Sequence, residues 1–427
     1  MDTIFALATA QGRAGVAVIR ISGPQAFVCA TALCGSLPNP RQAGVRALLD
    51  SDGSLLDQAL VLAFQGPNSF TGEDVVELHL HGSIAVVSAV LRRLGEGDAR
   101  LAEPGEFTRR ALENDKMDLA QVEGLGDLIA SETEGQRRQA QRIFEGALGQ
   151  KIEAWRTNLI RAASLIEVTI DFADEDVPVD VTQEVSALLL SVRTDVENEL
   201  NGFAAAERIR TGFEIAIIGP PNAGKSTLLN ALAKRDAAIT SERAGTTRDV
   251  IEVRMDLDGY AVTLLDTAGL RDGADEIEAT GIERAVSRAN ASDLRIFLME
   301  PDEIVPVASQ DDDIFVAPKA DARTDDVPAV SGKTGQGIPE LITLVSRALS
   351  SKTQSAGLAT HARHRDAMQM SLTALDAAVE WIGHGPDHYD IAAEEIRSSI
   401  RSLESLVGRI GVENLLDEIF SSFCLGK

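Results

Sequence analysis

The chain has 427 residues, 44% hydrophobic and 25% charged. This describes a globular protein and exceeds what a single core accommodates, so two or three domains are expected. Three cysteines, Cys29, Cys34 and Cys424, exclude a disulfide framework and supply no CxxC metal pair. With 40 basic against 66 acidic residues the net charge is −26, so the chain as a whole repels nucleic acid. An RNA partner would be met on a local basic patch or through another protein.

In chain order, residues to about 118 mix short apolar runs, "GVAVIRIS", "QALVLAF" and "DVVELHLH", with the helical "SIAVVSAVLRRLG", which reads as α+β. From Leu119 to about Arg210 the pattern is long, charged and helical, broken at "DFADEDVPVD". "GFEIAIIGPPNAGKSTLLNALA" then changes to strand, glycine loop and helix, the opening of a parallel α/β sheet. After about Ser351 two further helical segments follow, and their packing on the earlier helices would make the α/β part an insertion. The reading is a multidomain chain: an α+β domain at 1–118, an all-α helical domain at 119–211 with 352–427, and an inserted α/β domain at 212–351, which the motifs below make a P-loop GTPase domain. No apolar run reaches membrane-span length, and "MDTIFALATAQGR" lacks a basic region before an apolar one, so no membrane association and a cytoplasmic location are expected.

The strongest chemical signal is "GPPNAGKS", Gly219 to Ser226, which fits G-x-x-x-x-G-K-[ST] between an apolar strand and an apolar helix. Its glycines turn backbone N–H groups toward phosphate, Lys225 offers charge to the β and γ phosphates, and Ser226 offers a hydroxyl to Mg²⁺. "DTAG" at 266–269 follows the apolar "AVTLL", placing Asp266 at a strand end beside the magnesium shell, and Thr247 of "AGTTRD" supplies a second hydroxyl. "PKAD" and "SGK" stand where base-reading loops belong. The nucleotide set is therefore Gly219, Asn222, Ala223, Gly224, Lys225, Ser226 and Thr227; Ser241, Thr246 and Thr247; Asp266, Thr267, Ala268 and Gly269; and Lys319, Asp321, Ser331, Gly332 and Lys333. Leu270 follows Gly269 and no glutamine occurs before Gln310, so water must be positioned otherwise than in Ras-like switches.

Asn222, "GTTRD" and "DTAGLRDGADEIEATGIERA" resemble the potassium-activated GTPases of translation and ribosome assembly. The flanking "DTIFALATAQGRAGVAVIRISGP", "GPNSFTGEDVVELHLHG", "EPGEFTRRALENDKMDLAQVEGLGDLI" and "IFSSFCLGK" resemble the MnmE (TrmE) family along the whole chain. That resemblance implies K⁺ held by Asn222, Ser241, Arg243 and Thr246. Glu278, Lys225, Asn222 and Cys424 become the catalytic candidates, with Glu278 orienting the nucleophile. It further implies a folate-binding, dimerising N-terminal domain in which Arg20, Glu77, Lys116 and Lys427 contact 5-formyltetrahydrofolate or a related tetrahydrofolate. A FAD-dependent MnmG-type partner in a heterotetramer, tRNA as substrate and modification of C5 of the wobble uridine complete the expectation. Cys424 then belongs to the folate site; "CLGK" has Gly426 at the second aliphatic position and Lys427 at the last, without the polybasic approach of a prenylation box. The rivals are a ribosome-assembly switch, which would need an RNA-binding domain, and a folate-dependent one-carbon transferase with a regulatory G domain.

Glu77, His79 and His81 alternate on a presumed strand in the spacing of a two-histidine, one-carboxylate metal site, against which a polar pocket wall is preferred. "HARHR" at 361–365 reads either as a phosphate contact or as a solvated helix start. Cys29 and Cys34 read as small buried hydrophobes on a helix. Pro318 stands where most GTPases carry an asparagine, which costs one donor to guanine. The short spacings around "PKAD" leave room for only very short helices, if any, on that face.

Overall fold

The computed structural model describes residues 2–171, 181–235, 252–266, 286–305 and 307–409, with 416, 419, 420, 423 and 426. The chain divides into two compact units, Met1–Gly126 with Glu404–Lys427, and Asp127–Leu403.

In the first unit β1 (Thr3–Leu7), β2 (Val16–Ser22), β3 (Gly44–Leu49), β4 (Leu55–Phe64), β5 (Val75–His81) and β6 (Ala99–Leu101) form one sheet in the order β3-β4-β5-β2-β1-β6. β1 and β6 are parallel and the other neighbours antiparallel. Strand alternation assigns the faces. Ile19 and Ile21 of β2 bury with Phe5 and Leu78 against Ala30 and Leu33 of the helix Ala26–Cys34 and Val90 and Leu94 of the helix Ile84–Gly95. Arg20 and its register partner Glu77 fall on the opposite face. Cys29 and Cys34 both lie on the first of those helices, as expected, but only Cys34 is buried; Cys29 is half-buried.

In the second unit the helices Glu134–Phe144, Ala147–Asp171 and Thr182–Thr211 precede an α/β segment, and Ala362–Gly383 and Tyr389–Leu406 follow it. Ala362–Gly383 packs on Thr182–Thr211, so the α/β segment is an insertion between helices that meet each other. Its strands are β7 (Phe213–Ile218), β8 (Glu252–Leu257), β9 (Tyr260–Asp266), β10 (Leu294–Leu298), β11 (Ile314–Pro318) and β12 (Ala329–Val330), in the order β12-β11-β10-β7-β9-β8. All neighbours are parallel except β8 and β9. β7 and β10, "FEIAII" and "LRIFL", are near-continuous apolar runs because both faces of a central parallel strand are covered. Ile215, Ile217, Ile296 and Leu298 pack on one side with Leu228 and Leu232 of the helix Lys225–Arg235 and Leu341 and Val345 of the helix Ile338–Thr353.

Parallel strands are ordinarily joined through a helix. Between β10 and β11, residues 299–313 contain no helix among the described residues. Val307 of this connection takes the packing role instead, burying with Ala216, Ile218, Ala289 and Phe297. Arg295 and Asp313, 2% and 4% exposed at their side chains, close it with two hydrogen bonds of 2.8 and 2.7 Å.

Candidate nucleotide site and the N-terminal polar face

β7 ends at Ile218 and the helix Lys225–Arg235 begins seven residues later; the turn between is made possible by Asn222 (φ 61°) and Gly224 (φ 97°), both left-handed. Glycine adopts that conformation without cost, and asparagine tolerates it better than most residues. Such a turn aims successive N–H groups at an anion, and the helix that follows adds the positive end of its dipole. Lys225 is 8% exposed, and its ammonium donates to the carbonyls of Gly219 (2.7 Å) and Pro220 (2.9 Å). The cation therefore lies folded over the turn that would receive phosphate. Ala223 is buried in the core, which fixes the loop from beneath.

The base-side loops reach the same helix. Gly332 approaches the backbone of Thr227 and Leu228 so closely that a Cβ would lie 2.6 Å from the Leu228 nitrogen. No side chain fits there, which explains the glycine of "SGK" by contact rather than by motif. Ser331 is buried, its N–H donating to Gln336 (2.9 Å), and its hydroxyl holds the exposed Asp321 carboxyl below the usual range. Lys319 is left-handed (φ 57°) and exposed, and so is Lys333. Pro318 is buried at the end of β11, paired in register with Val330.

β9 lies beside β7 with Asp266 opposite Ile217, which brings the backbone of Asp266 to the entry of the P-loop. Ser241, Arg243, Thr246, Thr247, Thr267, Ala268, Gly269 and Glu278 lie outside the described residues, as do Cys424, Lys427 and the break in "DFADEDVPVD". The structure thus brings together the P-loop, the end of β9 and the base loops.

In the first unit Arg20 donates twice to Glu77 Oε1 (3.0 and 2.9 Å) and stands over the rings of Phe70 (4.9 Å) and Phe107 (5.7 Å). Lys116 is exposed across the neighbouring loop, its Cε 3.0 Å from where a Gly72 Cβ would sit. His79 Nε2 lies 3.5 Å from Glu77, whereas His81 is taken by Asp57 (2.7 Å) at the strand end. A separate cavity of about 890 Å³ opens between the 9–14 segment and the helix Ile84–Gly95, lined by Leu7, Val87, Leu91 and Leu101 among others; Arg20, Glu77 and Lys116 are not in its wall. Gly426 lies against the backbone of Leu7 and Ala8, at one margin of that cavity.

Other singled-out stretches are structural. "HARHR" opens a helix: His361 caps it and meets Asp127 (3.0 Å), and His364 is buried and accepts from the N–H groups of Thr360 and His361. Two features are not visible in the sequence because each depends on at least one contact between distant residues. One is the ionic network of Asp2, Glu73, Arg100, Glu106 and Arg110; the other is the contact of Arg323 with Glu300 and Asp325.

A left-handed phosphate turn opening the helix after a parallel strand, with the base loops seated on that helix, belongs to the P-loop nucleotide hydrolases, and "DTAG" with "SGK" narrows this to GTPases. Family models described as GTP-binding protein TrmE N-terminus and MnmE helical domain match residues 3–116 and 119–424. The chain is 65% identical to the tRNA modification GTPase MnmE of Roseobacter denitrificans, 63% to that of Ruegeria pomeroyi and 61% to that of Ruegeria sp. TM1040, in each case over 100% of both chains. The chain belongs to the MnmE family of tRNA modification GTPases.

Proposed function

We propose that this chain is a K⁺-activated GTPase that acts with a FAD-dependent MnmG-type partner on C5 of the wobble uridine, drawing one carbon from a tetrahydrofolate. The observation that carries the K⁺ reading is Asn222, held in the left-handed conformation inside the phosphate turn, where its amide oxygen can serve a monovalent cation beside the β and γ phosphates. Ser241, Arg243 and Thr246 would complete that shell, and Ser226, Thr247 and Asp266 would hold Mg²⁺. Both cations would neutralise charge developing on the phosphates. Lys225 would leave the Gly219 and Pro220 carbonyls for phosphate oxygens, and Glu278 would orient the attacking water because Leu270 cannot. In the base pocket Asp321, kept ionised by Ser331, accepts from guanine N1–H and the exocyclic amine, and adenine offers neither donor pattern.

The folate reading rests on Arg20, over the rings of Phe70 and Phe107, and its half-buried partner Glu77, with Lys116 nearby and Gly426 against the Leu7–Ala8 backbone of the same unit. Dimerisation through residues 1–118, pairing of the G domains during hydrolysis, assembly as a heterotetramer with the partner and a cytoplasmic location belong to the same proposal, as do the functional limits 119–211 with 352–427 and 212–351. No helix among the described residues is long and apolar enough to cross a membrane.

Turnover in KCl against NaCl at matched ionic strength tests it. A cation acting in place of an arginine finger should raise the rate by about 10³-fold, and Glu278→Ala should abolish the gain. Equal rates in the two salts would sink the K⁺ reading; full activity in Glu278→Ala would remove that residue from the mechanism.

A further inference from the structure

A guanine-reading carboxylate works only if its loop is held in place, and the loop 319–325 begins at a disadvantage. Pro318, at its root, has neither a side-chain donor nor an N–H with which to tie it to its neighbours. Lys319 and Asp321 are exposed; the turn of 3₁₀ helix at Ala320–Ala322 is held by Ala322 N–H to Lys319 and Arg323 N–H to Ala320, and the Ser331 hydroxyl ties Asp321 to the neighbouring base loop. The connection on the other side, after β10, has no helix to stiffen it among the described residues.

One side chain spans the gap. The Arg323 guanidinium donates from Nη1 to both Glu300 oxygens (2.6 and 2.8 Å), and from Nε and Nη2 to the two oxygens of Asp325 (2.9 and 2.7 Å). Its side chain is 16% exposed, while those of Glu300 and Asp325 are 42% and 51% exposed, so the contribution comes from the bidentate geometry and not from burial. Glu300 is itself fixed, its N–H donating to Glu303 Oε2 (2.8 Å) and its carbonyl accepting from the Glu303 N–H (3.1 Å). The adjacent Met299 N–H donates to Val316 of β11 (3.1 Å). The guanidinium thus links the loop that carries Asp321 to a turn rooted in the sheet. Its planar fork satisfies two carboxylates at once, which an ammonium cannot do with the same geometry.

We propose that Arg323 is the positioning residue of the guanine-reading loop: its clamp on Glu300 and Asp325 holds Asp321 in register with the base, offsetting the absence of a side-chain donor at position 318. The proposal rests on the assignment of Asp321 to guanine. Arg323 touches no nucleotide itself; it acts through the loop, so binding should suffer while the chemical step does not.

The test is stopped-flow release of a fluorescent GDP analogue, steady-state GTP turnover and thermal melting of the full chain. Arg323→Ala should release GDP about three- to tenfold faster and raise KM by a similar factor, with kcat and melting temperature nearly unchanged. Arg323→Lys should recover less than half of the loss, and Pro318→Asn in the Arg323→Ala background should recover more. Glu300→Gln, which alters only the partner outside the loop, should speed release in the same direction. Natural release rates in Arg323→Ala, or in Glu300→Gln should Arg323→Ala fail to fold, would overturn the proposal, as would a fall in kcat with KM unchanged. A natural protein that binds ATP as tightly as GDP would instead overturn the assignment of Asp321, whatever Arg323 does.

Discussion

Glu106, 9% exposed, accepts from Arg100 (2.6 and 2.8 Å), from Arg110 (2.9 Å) and from the Glu103 N–H (2.8 Å). Arg110, 4% exposed at its side chain, reaches on to Asp2 and Glu73, and Glu73 accepts from Ser22 of β2 (2.8 Å). Burial raises the Glu106 carboxyl, but the hydrogen bonds from Arg100, the Glu103 N–H and Arg110 outweigh it, and the net shift is downward from 4.5. A depressed folded value stabilises the fold above the unfolded value near 4.5, and this contribution is lost as pH falls through the folded one. Glu106→Gln should therefore cost about 1–3 kcal/mol at neutral pH, and the deficit should shrink as pH falls below the unfolded value and be gone below the folded one. Hydrogen exchange in β1 and β2 across that range checks it; a deficit unchanged from pH 7 to pH 3 would show that charge is not the cause. None of this was legible in the sequence, because Arg110 meets partners 37 and 108 positions away and nothing local marks them. The P-loop was legible because phosphate binding imposes a fixed spacing within eight residues. The same contrast separates Asp321, announced by its motif, from Arg323, whose partner Glu300 lies in a loop that only the fold brings near.

At the scale of elements, strands and helices followed from pattern: β2, β5 and the helix Ile84–Gly95 fall within the runs read for them, while β4 begins three residues before its run, at Leu55. Elements without a period did not announce themselves. The 299–313 connection is polar and has no amphipathic repeat, so the sequence could indicate the absence of a helix but not what replaces it. The replacement is Val307 against Phe297, together with the Arg295–Asp313 pair closing the base. Removing one member of a buried pair strands the other charge. Arg295→Met should destabilise the protein by about 3–5 kcal/mol, and Arg295→Met with Asp313→Leu should recover most of it. Chemical unfolding of both variants decides; a double variant no better than the single one would mean that the pair's geometry, and not its uncompensated charge, holds the connection.

For the whole molecule, a net charge of −26 sets the terms on which a tRNA modification GTPase can meet its substrate. Contact with RNA must be local or shared with a partner; under the proposed function, hydrolysis in the nucleotide site would be coupled to modification of the tRNA. The central claim is that nucleotide hydrolysis and wobble-uridine modification are functions of one chain acting together. The direct measurement is nucleoside mass spectrometry of tRNA from a deletion strain complemented with the natural chain or with Lys225→Ala, each expressed to the same level. The natural chain should restore the C5-modified uridine, and Lys225→Ala, with its phosphate turn deprived of the cation that now bridges Gly219 and Pro220, should not. Full restoration by Lys225→Ala would contradict the account.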